Sequence, residues 1–437
     1  MGARAVALQV LTRVTKTDAF LNVVLDGALD GAGLEPRDAA FTTELCYGTA
    51  RRQLTLDFAL KPYSSQALDH LEDDVLAALR LGAYQLFFTR VPRHAAVAET
   101  VEALKVIGKA RAAGYANAVL RKLAALTELP LPPPEPVVDR LSVEHAHPRW
   151  LVERWRQQFG PERAAAMLAA DNEAPLVVVR ANSARITRDA LVQQLREVGV
   201  ACEPTRTSTE GVVLSAPGRV EDLFGFAEGL WQVQDEAAQL VGAFAAPADG
   251  ARVLDVCAAP GGKACHLAQR CEVTALDVFP ARLAAIARES KRLGLSDRLK
   301  LGAPADASKP LPESLGEFDL VLVDAPCSGL GTLRRHPELR WRRLEDDLPR
   351  LRALQRKILE HAFERVAPGG LLVYAVCSVD PSEGADQIEP FLRSHPELTT
   401  EPPPAADRFP TWQGHLRTLM GPEGMDGHFA ARLRRMY

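Results

Sequence analysis

The sequence predicts a multidomain chain: an all-α domain first, a small α+β module next, and an α/β domain with a doubly covered parallel sheet last. Three observations carry this. Apolar residues recur at helical spacing through about the first 127 positions. Residues 129 to 136 then hold five prolines in eight positions, a composition that breaks helices and favours an extended spacer. From residue 251 onward, apolar strands alternate with helices, the pattern of a parallel sheet buried on both faces. A length of 437 residues suits about three domains.

In order along the chain, residues 1–128 are expected to be helical. Val97, Val101, Leu104 and Ile107 trace one helix face. The start, MGARAVALQVLTRV, reads as a helix and not as a signal peptide, because no cleavage site follows its short apolar patch. Residues 129–144 form the proline-rich linker. Residues 145–235 form the α+β module, with helices at 147–159 and 187–198, the latter capped by Thr187, and strands at 176–181 and 211–214. Residues 236–437 form the α/β domain. Its strands are ARVLDVCA, EVTALD (272–277), a weak one near 299–301, EFDLVLVD (317–324) and GLLVYAVCS (370–378).

Composition excludes several classes. A hydrophobic fraction of 47% and a charged fraction of 25% are those of a soluble globular protein. The longest stretch free of Asp, Glu, Lys and Arg is 366–379, 14 residues, too short for the roughly 20 apolar residues of a membrane span. No membrane partner is expected. Seven cysteines, an odd count with no C-x-x-C pair, argue against a zinc site and a disulfide framework. A reducing, cytoplasmic compartment and no metal are expected. The net charge of −4 does not announce a nucleic-acid binder, so local patches must carry that signal.

Ligands of doubly wound sheets bind at the carboxyl ends of the strands, and there the chemistry collects. The first strand runs through Asp255 into Cys257-Ala258-Ala259-Pro260-Gly261-Gly262-Lys263, small residues that let a ligand approach the backbone. Asp277, 22 residues after Asp255, ends the second strand at the spacing of a ribose-binding carboxylate. Asp306 follows the weak strand, where it could meet the amino group of an adenine. A P-loop is excluded, since Cys257 stands where a glycine is needed and Ala264 where Ser or Thr is needed. The site therefore reads as one for a nucleoside-containing cofactor. The next strand delivers Asp324-Ala325-Pro326-Cys327-Ser328-Gly329-Leu330-Gly331, and the last ends at Cys377-Ser378.

DVCAAPGGK, DAPCSGLG and AVCS, with GHFAARLRR at the end, together resemble the RNA 5-methylcytosine methyltransferases that use S-adenosylmethionine. AFLNVVLD, DAAFTTELCYGTARR and GYANAVLRKL resemble the helical NusB-type RNA-binding fold. The resemblance implies a NusB-like N-terminal domain, the small linker module and a Rossmann-like class I methyltransferase domain. It implies methyl transfer to carbon 5 of one cytosine of 16S ribosomal RNA, in an unassembled or partly assembled small subunit, by a monomer. Transfer RNA or large-subunit ribosomal RNA is the alternative substrate. Residues 257–263, Asp277, Asp306 and Asp324 would bind S-adenosylmethionine. Two positions depart from the family pattern: Ala264 replaces the usual Thr, and His428-Phe429 keeps one ring of an aromatic pair.

The same resemblance gives Cys377 the attack on the base and Cys327 the release step, with Asp324 hydrogen-bonding the cytosine. In DNA enzymes the Pro-Cys thiol is the nucleophile, and the sequence by itself leaves both assignments open. An intact Asp277, Asp324, Cys327 and Cys377 set favours an enzyme over an RNA-binding protein with a degenerate catalytic domain. RNA contact is expected at RRHPELRWRR (334–343), where Arg334, Arg335, Arg340, Arg342 and Arg343 flank Trp341, a composition suited to phosphate contact and base stacking.

Overall fold

The computed structural model describes residues 1–215, 217–421 and 424–437. The chain forms two compact units. One comprises Met1–Ala174 with Leu333–Arg343, the other Pro175–Thr332 with Leu344–Tyr437.

The first unit is helical. Helix Ala3–Lys16 buries Val6, Val10 and Val14 along with Ala3, Ala7 and Leu11, two rows at i, i+4 spacing that make one apolar stripe. Helices Leu21–Ala32, Pro36–Arg51, Gln53–Leu60, Asp73–Phe88, Arg93–Val106 and Ala113–Ala124 close a core around Leu8, Leu45, Leu81, Leu104 and Leu120. Gly48 is obligatory in its helix, because a Cβ there would lie 2.0 Å from the Tyr84 ring.

The compact unit extends past the proline-rich stretch. Helices Val137–His145, Arg149–Phe159 and Pro161–Ala170 fall in the same unit. The reason is local: Thr55 and Arg52, on and beside helix Gln53–Leu60, donate to the carbonyls of Val143 and Glu144.

One sequence expectation is corrected in this unit, the exposure of Arg334 and Arg340 in the arginine run. Residues 333–343 leave the second unit after Thr332 and lie inside the first. Arg334 and Arg340 are each 1% exposed. The Arg340 guanidinium donates to the carbonyls of Arg51 (2.9 Å), Ala146 (3.2 Å) and Asp171, and to Asn172 Oδ1 (2.8 Å). The Arg334 carbonyl accepts two bonds from Arg51. Arg342 donates to the carbonyls of Val14, Thr17, Asp18 and Ala19 at the end of the first helix, and Glu338 accepts from Leu21 N–H at the start of the second (3.1 Å). A cation at a helix C-terminus and an anion at an N-terminus both satisfy orphan backbone groups. Trp341 and Arg342 are half-buried, and Trp341 Nε1 donates to Ala50 O. Arg335 and Arg343 are half-buried too. Arg334 and Arg340 are thus internal to the helical unit and not open to RNA, and the run straps the unit together.

In the second unit, β1 (Val177–Ala181), β2 (Cys202–Pro204), β3 (Gly211–Leu214) and β4 (Trp231–Val233) form an antiparallel sheet in the order β2-β3-β1-β4. Helix Arg188–Glu197 lies beside it, and Thr187 caps that helix by accepting from Ala190 N–H (3.3 Å). The large sheet contains β5 (Arg252–Asp255), β6 (Glu272–Ala275), β7 (Leu299–Leu301), β8 (Phe318–Asp324), β9 (Val366–Val376), β10 (Leu398–Thr400), β11 (Thr411–Trp412), β12 (His415–Arg417) and β13 (Phe429–Arg435), in the order β11-β12-β13-β9-β8-β5-β6-β7, with β10 paired to β13. The core from β9 to β7 is parallel, as expected; β13 joins β9 antiparallel with Phe429 opposite Val376. The sheet is therefore mixed. Order reverses between β5 and β8, which opens a crevice at their carboxyl ends.

Among the described residues no helix is long and apolar enough to cross a membrane, and no group of three His, Cys, Asp or Glu could hold a metal ion.

Candidate active site

All the site residues discussed below lie in the second unit. The buried run Val253-Leu254-Asp255 carries the chain into the β5–β8 crevice, where the strand can no longer pair and must turn. Ala258 N–H donates to Leu276 O (2.8 Å) and Gly261 N–H to Ala258 O (2.7 Å), which folds residues 257–263 tightly. Gly261 has φ +104°, a left-handed conformation that suits glycine. Arg180 of β1, 1% exposed, supports this turn by donating to Gly262 O (3.0 Å), and it also holds Gln232 (3.1 Å) and Gln234.

Lys263 then reaches across to β8, its Nζ lying 2.6 Å from Asp324 Oδ2. Burial works against the ammonium, but the charge and hydrogen bond of Asp324, with Cys377 and Asp255 adding, raise its pKa above the ordinary lysine value. Asp277, 6% exposed, accepts from Phe279 N–H (2.9 Å). Asp306 is half-exposed; it accepts from Ser308 N–H (3.0 Å) and Oγ–H (2.6 Å), bonds that hold its carboxyl below the usual range. Ala305 N–H donates to Asp277 O (3.1 Å), which brings the ends of the second and third strands together.

The thiols meet. Cys327 Sγ lies 3.2 Å from Cys377 Sγ, although 50 residues separate them. Gly331 N–H donates to Cys377 O (3.0 Å) and Gly427 N–H to Gly331 O (2.8 Å), so the loop after β8 is laced to the end of β9. Gly331 is needed for this: a Cβ would lie 1.9 Å from Gly427 O. The hydrogen bond with Cys377, then burial, then the charges of Cys377 and Glu383 push the Cys327 thiol well up. Cys257 stands near four acids; burial first, then Asp255, Asp324, Asp277 and Asp306, raise its thiol too.

The structure thus gathers residues 257–263, Asp277, Asp306, Asp324, Cys327 and Cys377 along one edge of one sheet. Sequence reasoning missed Ser328, Gln355 and Glu383, which sit behind the thiols. Glu383 closes an Asp380-Pro-Ser-Glu stretch that reads as a helix start, and Asp380 does accept from Ser382 N–H (2.9 Å). That local reading conceals the long-range partner of Glu383.

The residues present suit a nucleoside cofactor carrying hydroxyl and amino groups. Acceptors dominate the rim, and Asp255 Oδ2 is buried without a hydrogen-bond partner. Burial, with the charge of Asp324 adding and that of Lys263 opposing, pushes the Asp255 carboxyl up to about 8. The folded protein then keeps a proton that the unfolded chain, with an ordinary value near 4, gives up. The contribution of this group to stability is therefore full below about pH 4 and falls as pH rises towards about 8, by up to about 1.4 kcal/mol per pH unit. Asp255→Asn stays neutral throughout. Its melting temperature relative to the native protein should rise between about pH 5 and about pH 8. An equal difference at both would show Asp255 ionised over the whole range.

Comparison with known proteins agrees with this geometry. The family described as 16S rRNA methyltransferase RsmB/F matches residues 243–434. The NusB family matches residues 1–125, and the ferredoxin-like domain of the RsmF/B-like methyltransferases matches residues 147–221. The ribosomal RNA small subunit methyltransferase B of Pseudomonas putida is 38% identical, over 99% of this chain and 98% of its own. The protein of that name from Salmonella newport is 35% identical, over 98% of both. Among solved structures, PH0851 is similar with a TM-score of 0.86 at 25% identity, over 100% of this chain and 99% of that one. A methyltransferase homolog protein from Pyrococcus horikoshii gives 0.59 at 25% identity, over 69% of this chain and 100% of that one.

Proposed function

The chain belongs to the 16S rRNA methyltransferase RsmB/F family, and from that membership we propose that Cys377 is the nucleophile, Cys327 the release group and Asp324 the base-binding acid of cytosine C5 methylation in 16S ribosomal RNA. The enzyme is S-adenosylmethionine-dependent. The observation that carries the reading is the 3.2 Å approach of the two thiols beside the Lys263–Asp324 pair.

Carbon 5 of cytosine is a poor nucleophile. A thiolate adding to carbon 6 converts the ring to an enamine, and carbon 5 becomes nucleophilic. Asp324 can accept from the cytosine amino group and share a proton with the ring nitrogen, which drains charge as the sulfur adds, an effect worth about 3 kcal/mol. Lys263 holds Asp324 in place. Cys327, as a thiolate, would take the carbon 5 proton, and the bond from Cys377 to carbon 6 then breaks. The target base must leave its stack to enter the crevice. Residues 257–263, Asp277 and Asp306 would hold S-adenosylmethionine, which supplies an electrophilic methyl group when bound. The chain is read as a monomer acting in the cytoplasm on RNA that is not yet in a finished subunit.

Asp277 is expected to hold both ribose hydroxyls. Asp277→Ala should weaken S-adenosylmethionine binding by about 1.5–3 kcal/mol. Titration calorimetry giving unchanged affinity would sink that cofactor geometry. For the reaction itself, bisulfite sequencing of ribosomal RNA from a strain lacking the protein should show one protected cytosine lost. The native gene should restore it and the Cys377→Ala gene should not. Loss of the mark in transfer RNA or large-subunit RNA instead would overturn the substrate.

A further inference from the structure

We propose that Glu383 is a positioning residue for the second thiol: it fixes the loop that carries Cys327 and places a negative charge behind its sulfur, so that two neighbouring thiols become unequal. The inference rests on both thiols serving one reaction.

Glu383 is fully buried, at 0% exposure, in the turn that follows Cys377. One carboxylate oxygen accepts from Ser328 N–H and from Gln355 Nε2–H, each at 2.9 Å, and the other accepts from the Ser328 hydroxyl. Gln355 Nε2 also donates to Pro326 O (3.1 Å). Both chain neighbours of Cys327 are thus clamped by one network. Tyr374 Oη donates to the backbone oxygen of Glu383 (2.6 Å) and fixes the turn itself. Ser378, next to Cys377, lies 3.2 Å from Ser328 Oγ, so the network touches both thiol-bearing segments.

The partners of this carboxylate are a backbone amide, a hydroxyl and a carboxamide, with no cation among the described residues. A buried charge without a counter-ion is costly, and a neutral acceptor would serve for a clamp alone. The charge has a use at the thiols. The titratable groups facing the pair are Glu383 and Tyr374 on one side, Lys263 and Asp324 on the other. Lys263 counts Cys377 among the charges that hold its proton; Glu383 acts on Cys327 and disfavours its thiolate. Addition to the base needs one thiolate, and two adjacent thiolates would repel. A negative charge placed behind Cys327 disfavours its ionisation before addition, and makes it the stronger base once, after addition, it has passed its proton to solvent water.

Two substitutions separate charge from shape. Glu383→Gln keeps an acceptor for Ser328 N–H and Gln355 and removes the charge. Glu383→Asp keeps the charge on a shorter arm. Each full-length variant, free of RNA and S-adenosylmethionine, would be alkylated with iodoacetamide across the thiol titration range, with each cysteine followed by peptide mass spectrometry. In Glu383→Gln the pH midpoint for Cys327 should fall by about one unit, so that its alkylation at neutral pH rises roughly tenfold. In Glu383→Asp it should stay with the native protein. A Cys327 profile in folded Glu383→Gln that superimposes on the native one overturns the proposal, and so does a downward shift in Glu383→Asp. The assignment of nucleophile is read separately, from RNA adducts. If Cys377→Ala forms the adduct, that assignment fails and the alkylation result still stands.

Discussion

Cys377→Ala is expected to abolish methylation, by roughly four orders of magnitude or more, and to form no covalent adduct with RNA. Cys327→Ala is expected to do the opposite with the adduct: addition and methyl transfer proceed, and the enzyme stalls before the bond to the base breaks. The stalled species should run as a slow protein–RNA band on a denaturing gel when S-adenosylmethionine is present. Neither change should unfold the protein, because both thiols are only half-buried and small substitutions at such sites usually cost little. The 3.2 Å separation makes the comparison informative. Either sulfur is close enough to reach one base, so the outcome is decided by role and not by access. If Cys377→Ala is the variant that accumulates the band, the two roles are reversed.

The second large effect lies in the helical unit. Arg340→Ala should destabilise the protein by about 3–5 kcal/mol, because it strips the carbonyls of Arg51, Ala146 and Asp171 and the Asn172 side chain of a buried donor at once. Asp171 would lose one nearby cation as well. Arg342→Ala, at a half-buried helix end, should cost about 1–2 kcal/mol. In both variants the folded fraction should bind RNA with an unchanged salt slope. Melting curves and salt-dependent RNA titrations on the same samples test this. A selective loss of RNA affinity at native stability would return the run to the RNA-binding role its composition suggests.

The contrast between these two sites explains what a sequence discloses. The strand-end acids were legible because Val-Leu-Asp and Leu-Val-Leu-Val-Asp write burial and its end into consecutive letters; the sheet then puts Asp255 and Asp324 at the same ends of neighbouring parallel strands. Thr187 was legible for the same reason: its acceptor duty is to Ala190, three residues away. The pairing of Cys327 with Cys377 followed from both lying at strand ends on one edge. Arg340 and Glu383 were not legible. Their partners are 168 to 289 and 28 to 55 residues away, and nothing within ten residues distinguishes a guanidinium that caps backbone carbonyls from one that meets phosphate. The antiparallel extension by β13, β12 and β11 also escaped, since a short apolar strand does not reveal the direction of its neighbour.

The strap has a bearing on how such a protein can be divided or recombined. The catalytic half is not one uninterrupted stretch of gene: eleven codons between the thiol loop and helix Asp347–Phe363 encode part of the helical half. Deleting residues 1–174, or exchanging them for a foreign module, would take away the Arg51 donors to the Arg334 carbonyl and the acceptors of the Arg340 guanidinium. A shortened version would carry a sticky, arginine-rich loop immediately after Gly331. A change at the front of the gene that alters these partners is expected to need a matching change among eleven positions near its back.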